Sequence, residues 1–379
     1  MTPLPLKNIR VLDLSRVLAG PLCTMMLGDL GATVIKIERP ETGDDTRGWG
    51  PPFDDRGEAA YFLSANRNKA SVSADFTSAS DQAFIKTLMK DADLVVENYL
   101  PGTLNRFGLD AESMLAQNPR LLWCTISGFG SNSRRPGYDF VTQAESGWMA
   151  ITGDPGGAPM KHGVALVDVI TGKDATIGLL AKLVARERST EPLPAADRRI
   201  EVTLASSARA ALVNVAQNAL VTGRVASRWG NAHANLVPYQ LFEAADRPFV
   251  IAVGADGQWP AAARAMKLDA MANDPELKTN AGRLAHRARV VDGIQSHART
   301  EPARHWLDRL EAAQVPCGVV RSVQESLSDV SASARTGVPP LWNGRVRLEP
   351  PRLNEHGVSV RAKYWSFGDD LPIPTSEDV

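Results

Sequence analysis

Between residues 9 and 130 short apolar runs alternate with helical patterns, and no other feature constrains the fold of this chain as tightly. IRVLDL (9–14) reads as a strand. PLCTMMLGDL (21–30) reads as a helix opened by Pro21, a residue suited to a first helical turn. TVIKIE (33–38) alternates and is β-branched, which predicts a second strand. SVSAD (71–75), DLVVEN (93–98) and RLLWCTISGFG (120–130) continue the strands. DQAFIKTLMKDAD (81–93) places Phe84, Ile85, Leu88 and Met89 on one helical face. Strands separated by helices predict an α/β fold with a mostly parallel sheet.

GVALVDVITG (163–172) sets a carboxylate inside a run that otherwise suits burial. A buried, unpaired carboxylate is costly. Asp168 therefore needs partners, a cap to make, solvent from a cleft, or a chemical role. ATIGLLAKLVARE (175–187) reads as a helix with Ile177, Leu180, Ala181 and Val184 on one face. Thr171 and Asp174 form a capping-box pattern before it, and Lys182, Arg186 and Arg188 fall toward its C-terminus, as the helix dipole prefers. Asp168 is thus expected at the end of a strand-like run, just ahead of a helix cap, where open α/β sheets hold ligands. STEPLPAADRR (189–199) reads as a surface loop and residues 204–222 as one long helical segment. From 228 to 325 the pattern changes to a hairpin (237–254, turn at 244–248) followed by helices, the mark of a second, smaller α+β domain. The tail from about 330 is rich in Pro and Arg, with short strands at most.

The chain has 379 residues and a formal net charge of −1, so no overall field recruits nucleic acid or an anionic membrane. No stretch approaches the roughly 20 apolar residues of a membrane helix, and MTPLPLKNIR does not read as a signal peptide. Cys23, Cys124 and Cys317 lie far apart, as expected of free thiols in a reducing cytoplasm. His286, His297 and His305 lie in polar sequence without metal-ligand spacing. GFGSNS (128–133) lacks the third glycine of a dinucleotide fingerprint, and neither a phosphate-loop lysine motif nor G-x-S-x-G is present. Lys36, Arg39, Arg47, Arg67, Lys69 and Arg106 crowd the first 110 positions. They are either solvated surface charges or cations that converge on a multiply charged phosphate ligand.

Several stretches together resemble one family: LKNIRVLDLSRVLAGPLCTMMLGDLGATVIKIERP (6–40), GDDTRGWGPPF (43–53), YFLSANRNKASV (61–72), ADLVVENYLPGTLNRFGL (92–109), NPRLLWCTISGFG (118–130), PGYDF (136–140), GVALVDVITG (163–172), VPYQLFEAAD (237–246) and VPCGVVRSVQE (315–325). Their order and content resemble the class III CoA-transferases, a family that also holds α-methylacyl-CoA racemases. The resemblance implies that Asp168 is a nucleophile that attacks an acyl-CoA thioester and carries the exchange through covalent aspartyl intermediates, with coenzyme A as substrate and no metal or redox cofactor. It implies CoA contacts from Leu18, Ala19, Arg39, Asn66, Arg67, Asn68, Lys69, Asn98, Tyr99, Leu100, Arg106, Pro136, Gly137, Tyr138 and Asp139. An ordinary aspartate pKa near 3.9 would leave Asp168 ionised at neutral pH. The implied partners are an acyl-CoA and a small carboxylic acid, with neither nucleic acid nor membrane.

The implied architecture is a Rossmann-like large domain (1–205), a linker helix (206–227), a small α+β domain (228–325) and a return segment (326–379) to the large domain, in an interlocked homodimer. Three departures from the family's patterns are visible. Racemase relatives carry His where this chain has Tyr138, and a phenol with a pKa near 10 is a poor proton shuttle. Oxalate- and formate-using relatives carry Gln at Leu18 and a glycine-rich loop where residues 228–238 read RWGNAHANLVP. PPRLNEHG (350–357) has Asn354 in place of a glycine, and SFGDDLPIPTSEDV lacks the pattern of the final helix. The alternatives to CoA transfer are α-proton exchange on an acyl-CoA, or CoA binding without catalysis.

Overall fold

The computed structural model describes residues 4–370. It divides into two compact units. One comprises the described residues up to Met149, Lys161–Arg224, and those from Val330 onward; the other comprises Ala150–Met160 and Val225–Asp329. The short segment 150–160 thus joins the smaller unit, although the sequence places it within 1–205.

The larger unit is built on six parallel strands: β1 (Arg10–Asp13), β2 (Thr33–Glu38), β3 (Lys69–Ser73), β4 (Leu94–Glu97), β5 (Leu122–Ser127) and β6 (Arg199–Thr203). Their order in the sheet is β3-β2-β1-β4-β5-β6, the order of a Rossmann sheet. Successive side chains alternate faces, and both faces are apolar, as parallel sheets require. Val11, Val34, Leu94, Leu122 and Cys124 pack with Leu27, Leu179 and Leu183. Leu12, Ile35, Val95 and Trp123 pack on the other side with Phe84, Ile85, Leu88 and Met89, the face expected for the helix Ala79–Lys90.

Several expectations are corrected. Residues 164–170 are not the end of a strand. A single helix runs Leu166–Arg188, with Asp168 in its first turn. Thr171 lies inside this helix, its hydroxyl bonded back to the Val167 carbonyl at 2.8 Å, while Asp174 accepts from the Ser207 hydroxyl at 2.6 Å. The helix buries Ala175, Thr176, Leu179 and Leu183, whereas Ile177 and Val184 are exposed. Arg199–Thr203, overlapping the expected loop, is the edge strand β6; its side chains are at most half-buried, so no apolar run announces it. The segment 204–222 is two helices, Leu204–Ala210 and Val213–Thr222, broken where Val213 takes φ +36°.

The tail contains a helix, Gly357–Lys363, rather than short strands only. It runs along β3: the Asn354 N–H donates to Ser71 Oγ at 2.9 Å, and Asn354 Oδ1 accepts the Ser73 N–H at 2.9 Å. Asn354 sits at φ +58°, so asparagine fills a left-handed position that glycine would also suit. Val360, Trp365 and Phe367 join the core beneath the sheet. The end of the tail, beyond Asp370, lies outside the described residues.

The smaller unit carries an antiparallel sheet, β7 (Tyr239–Glu243), β8 (Pro248–Ala252) and β9 (Cys317–Val319). The first two form the expected hairpin. Phe242, Phe249, Trp259, Val290 and Trp306 fill its core. Residues 150–160 attach to it through Arg228, whose guanidinium donates to the carbonyls of Ala150, Asp154 and Gly157.

Candidate active site

A cavity of about 250 Å³ opens where the strand order reverses between β1 and β4. Its walls are the loops that leave β1, β4 and β5 at their C-terminal ends: Arg16–Ala19, Asn98–Pro101, and Ser127 with Gly128. Such a switch point is where open α/β sheets bind ligands. Pro136, Gly137, Tyr138 and Asp168 also line it.

Two close approaches build this cavity. A Cβ on Gly172 would lie 2.6 Å from the Ala19 carbonyl oxygen. Only glycine there lets the helix Leu166–Arg188 meet the start of the helix Ala19–Asp29, one turn beyond Asp168. A Cβ on Gly137 would lie 2.3 Å from the Gly128 Cα. That backbone contact presses the Pro136–Tyr138 segment against the loop after β5.

Asp168 is buried at 8% exposure. Its place in a first helical turn favours the anion. Burial, and then the neighbouring Asp139 charge, outweigh this and push its carboxyl up to about 7. The expected ordinary pKa is therefore corrected: a low-dielectric site disfavours the charged form. Asp139 is itself buried and is not in the cavity wall. Its Oδ1 accepts the N–H groups of Val167 (2.8 Å) and Asp168 (3.3 Å), and its Oδ2 accepts from Gln143 Nε2 at 2.6 Å. It caps the helix of Asp168 from another segment. Asn98 also works through the backbone: Oδ1 accepts the Arg16 N–H at 2.9 Å and Nδ2 donates to the Arg16 carbonyl at 2.7 Å.

Of the residues expected from the sequence, Leu18, Ala19, Asn98, Tyr99, Leu100, Pro136, Gly137, Tyr138 and Asp168 line this cavity. Arg39 and Arg106 do not, but both are exposed; Arg39 pairs with Asp45, which does line it. Asn66, Arg67, Asn68 and Lys69 are buried, bond within the fold through their side chains and do not line this cavity. Arg67 pairs with Asp29 at 2.7 Å and donates to the Thr336 and Val338 carbonyls. Asn68 Nδ2 donates to Asp29 at 2.7 Å, and Asn66 Nδ2 to the Phe62 carbonyl at 2.8 Å. Lys69 Nζ reaches Asp13 at 3.0 Å, the Pro21 carbonyl and Asn66 Oδ1, and burial pulls its ammonium down to about 8.

Residues missed from the sequence include Arg16 and Arg135, both of which line the cavity. Arg16 lies 4.8 Å from the Tyr99 ring centroid. Tyr61 is a third. Burial raises its hydroxyl to about 12, and the Asp168, Asp139 and Asp44 charges add to the rise. A larger recess of about 600 Å³ adjoins the site through Tyr99, Leu100 and Pro101. It presents Glu97, Asp110, Glu112 and Glu201 against one cation, Arg199, a lining that repels polyanions.

The model of CoA-transferase family III matches residues 6–362. The succinate–glutarate CoA-transferase of Agrobacterium fabrum is 40% identical, over 95% of each chain. The succinyl-CoA:glutarate CoA-transferase of Mus musculus is 40% identical over 98% of this chain and 83% of its own length. Among solved structures, a CAIB/BAIF family protein from Brucella suis is 36% identical with a TM-score of 0.83, covering 95% of this chain and 99% of that one. A match across nearly the whole chain, on a Rossmann-order sheet whose switch-point cavity holds Asp168, has one conclusion: the chain belongs to CoA-transferase family III.

Proposed function

We propose that this enzyme moves CoA from a dicarboxylic acyl-CoA to a dicarboxylic acid of similar length, with Asp168 as the covalent carrier. The observation that carries the reading is a lone buried carboxyl in the wall of a cavity shared with the first turn of the helix Ala19–Asp29. The substrate class rests on relatives named for succinate and glutarate.

The ionised Asp168 attacks the thioester carbonyl. The C–S bond breaks, CoA leaves as thiolate, and a mixed anhydride remains on Asp168. The thiolate attacks the Asp168 carbonyl carbon, expels the donor as a free carboxylate and forms an aspartyl–CoA thioester. The acceptor carboxylate then repeats these steps in reverse and departs as its CoA ester. Covalent catalysis divides one difficult exchange into easier ones. Each tetrahedral oxyanion needs backbone N–H donors, and Leu18, Ala19 and Gly137, which line the cavity, are the candidates to supply them. Arg39, which also pairs with Asp45, and Arg106 are the exposed cations of the implied set, and this reading assigns them to the CoA phosphates. Asn98, Tyr99, Leu100, Pro136 and Tyr138 flank the pantetheine end.

The assembly on this reading is the interlocked homodimer. In support, the helix Val213–Thr222 buries none of its residues in one chain, leaving Val213, Leu220 and Val221 uncovered. Surfaces of that kind mark interaction sites. Cys23, Cys124 and Cys317 are all free thiols, in keeping with a cytoplasmic protein.

The test is incubation with succinyl-CoA and a panel of other acyl-CoAs, hydroxylamine or borohydride trapping, and intact-protein mass spectrometry. An adduct on Asp168, absent from Asp168→Ala, is expected. Two results overturn the reading: CoA exchange at near wild-type rate by Asp168→Ala, or α-proton exchange in deuterated water without acyl exchange.

A further inference from the structure

The turn between β1 and the helix Ala19–Asp29 is held by side chains at every residue from 15 to 17. The Ser15 N–H donates to Asp13 Oδ1 at 2.9 Å, and the Ser15 carbonyl accepts from Lys36 Nζ at 2.7 Å. Both backbone groups of Arg16 are taken by Asn98. The Val17 N–H points between the two oxygens of Asp44, at 3.2 and 3.3 Å.

Val17 has φ +72°. A β-branched residue avoids that region, because its Cβ crowds the following carbonyl. Left to itself, Val17 would return to negative φ and rotate the peptide that leads into Leu18. Leu18 and Ala19 line the cavity with Asp168, so that rotation would move the cavity wall. What opposes it is Asp44. Its carboxylate is buried at 1% exposure, paired with Lys36 at 3.0 Å and fixed by the Thr46 N–H and hydroxyl. The Asp44 N–H is fixed in turn by Glu38 Oε2 at 2.9 Å. Asp44 does not touch the cavity.

We propose that Asp44 is a positioning residue: by holding Val17 in the left-handed conformation it keeps the first turn of the helix Ala19–Asp29 in register with Asp168. This rests on the reading of Asp168 as the transfer nucleophile. Strain of this kind persists only where the surroundings over-determine it, and here a buried ion pair does so. Lys36 is part of the device, because it orients both the Asp44 carboxylate and the Ser15 carbonyl.

The test is a double-mutant cycle between Asp44 and Val17, read as kcat and KM for acyl transfer and as the rate of adduct formation on Asp168. Asp44→Ala should lower kcat by about a hundredfold, the usual cost of displacing a reacting group by about 1 Å, and change KM for the acyl-CoA little. In the Val17→Gly background the same substitution should cost less than about tenfold, because glycine holds positive φ without the clamp. A purely structural role for Asp44 gives equal losses in both backgrounds, and that result overturns the proposal. So does an Asp44→Ala protein with wild-type kcat. If alanine prevents folding, Asp44→Asn, which keeps the volume and one acceptor oxygen, is carried through the same cycle. A loss in Asp44→Asn that Val17→Gly does not relieve overturns the proposal there too. No adduct in the wild type overturns the transfer reading and the clamp with it. An adduct in the wild type with no relief by Val17→Gly overturns the clamp alone.

Discussion

Asp139 Oδ1 accepts the backbone N–H groups of both Val167 and Asp168, at 2.8 and 3.3 Å. One carboxylate therefore starts the helix that carries Asp168 and places a negative charge beside it. The first effect orders Asp168; the second, after burial, raises its pKa. Substitution separates the two. Asp139→Asn keeps an oxygen for the cap and removes the charge. The limb of the kcat/KM–pH profile that reports Asp168, near pH 7 in the wild type, should move to lower pH. It should stop short of the ordinary aspartate range, because burial remains the larger cause. Asp139→Ala loses the cap as well and should cost about 1–2 kcal/mol of stability. An unmoved or rising limb in Asp139→Asn contradicts this account.

The raised carboxyl also ties stability to pH. Asp168 has a folded pKa of about 7 against an ordinary 3.8. Between those values the folded chain holds a proton that the unfolded chain releases. The stability from the neutral form is therefore complete below about pH 4 and lost progressively as pH rises to about 7. Asp168→Asn stays neutral throughout. Its stability advantage over the wild type should grow by up to about 3 kcal/mol between pH 5 and 8, at about 1.4 kcal/mol per unit over the interval that titrates. Paired thermal melts across that range measure it. A constant difference would mean that the carboxyl titrates normally.

How much of this was legible in the sequence follows from how local each signal is. The strands β1, β2, β4 and β5 carry apolar runs because parallel strands are buried on both faces, so they are visible without knowledge of their neighbours. The run around Asp168 is equally apolar, but it begins a helix; periodicity alone does not separate a short buried strand from a buried helical segment. The deciding interaction, the cap by Asp139, spans 29 positions. Ile177 and Val184 look like core residues and are exposed in the single chain. The cations divided for a similar reason. Nothing near Arg67 in the sequence reveals Asp29, 38 positions away, as its partner.

Arg67 gives a prediction that separates fold support from ligand binding. The residue is 6% exposed, and its guanidinium is shared between Asp29 and two carbonyls of the C-terminal segment. Removing one partner of a buried pair leaves the other charge uncompensated, at about 3–5 kcal/mol. Arg67→Ala should therefore lower the denaturant midpoint sharply, while the folded fraction keeps its KM for acyl-CoA. A rise in KM at unchanged stability would instead make Arg67 a direct CoA contact.

Gly172 joins the helix of Asp168 to the wall opposite. Its missing Cβ is what lets Ala19 approach; an alanine there would place a methyl carbon 2.6 Å from the Ala19 carbonyl oxygen. Contact that close forces backbone to move, because the obstructing atom is not the end of a flexible side chain. Overpacking at a site of this kind costs about 1–3 kcal/mol. The movement separates the helix start at Ala19 from the first turn that holds Asp168. Gly172→Ala should therefore reduce kcat more than its loss of stability explains: measured at a temperature where the variant is fully folded, adduct formation on Asp168 should still be at least about tenfold slow, as expected when reacting groups lose alignment. A folded Gly172→Ala protein with the wild-type rate would show that the two helix ends need not meet this closely for the chemistry.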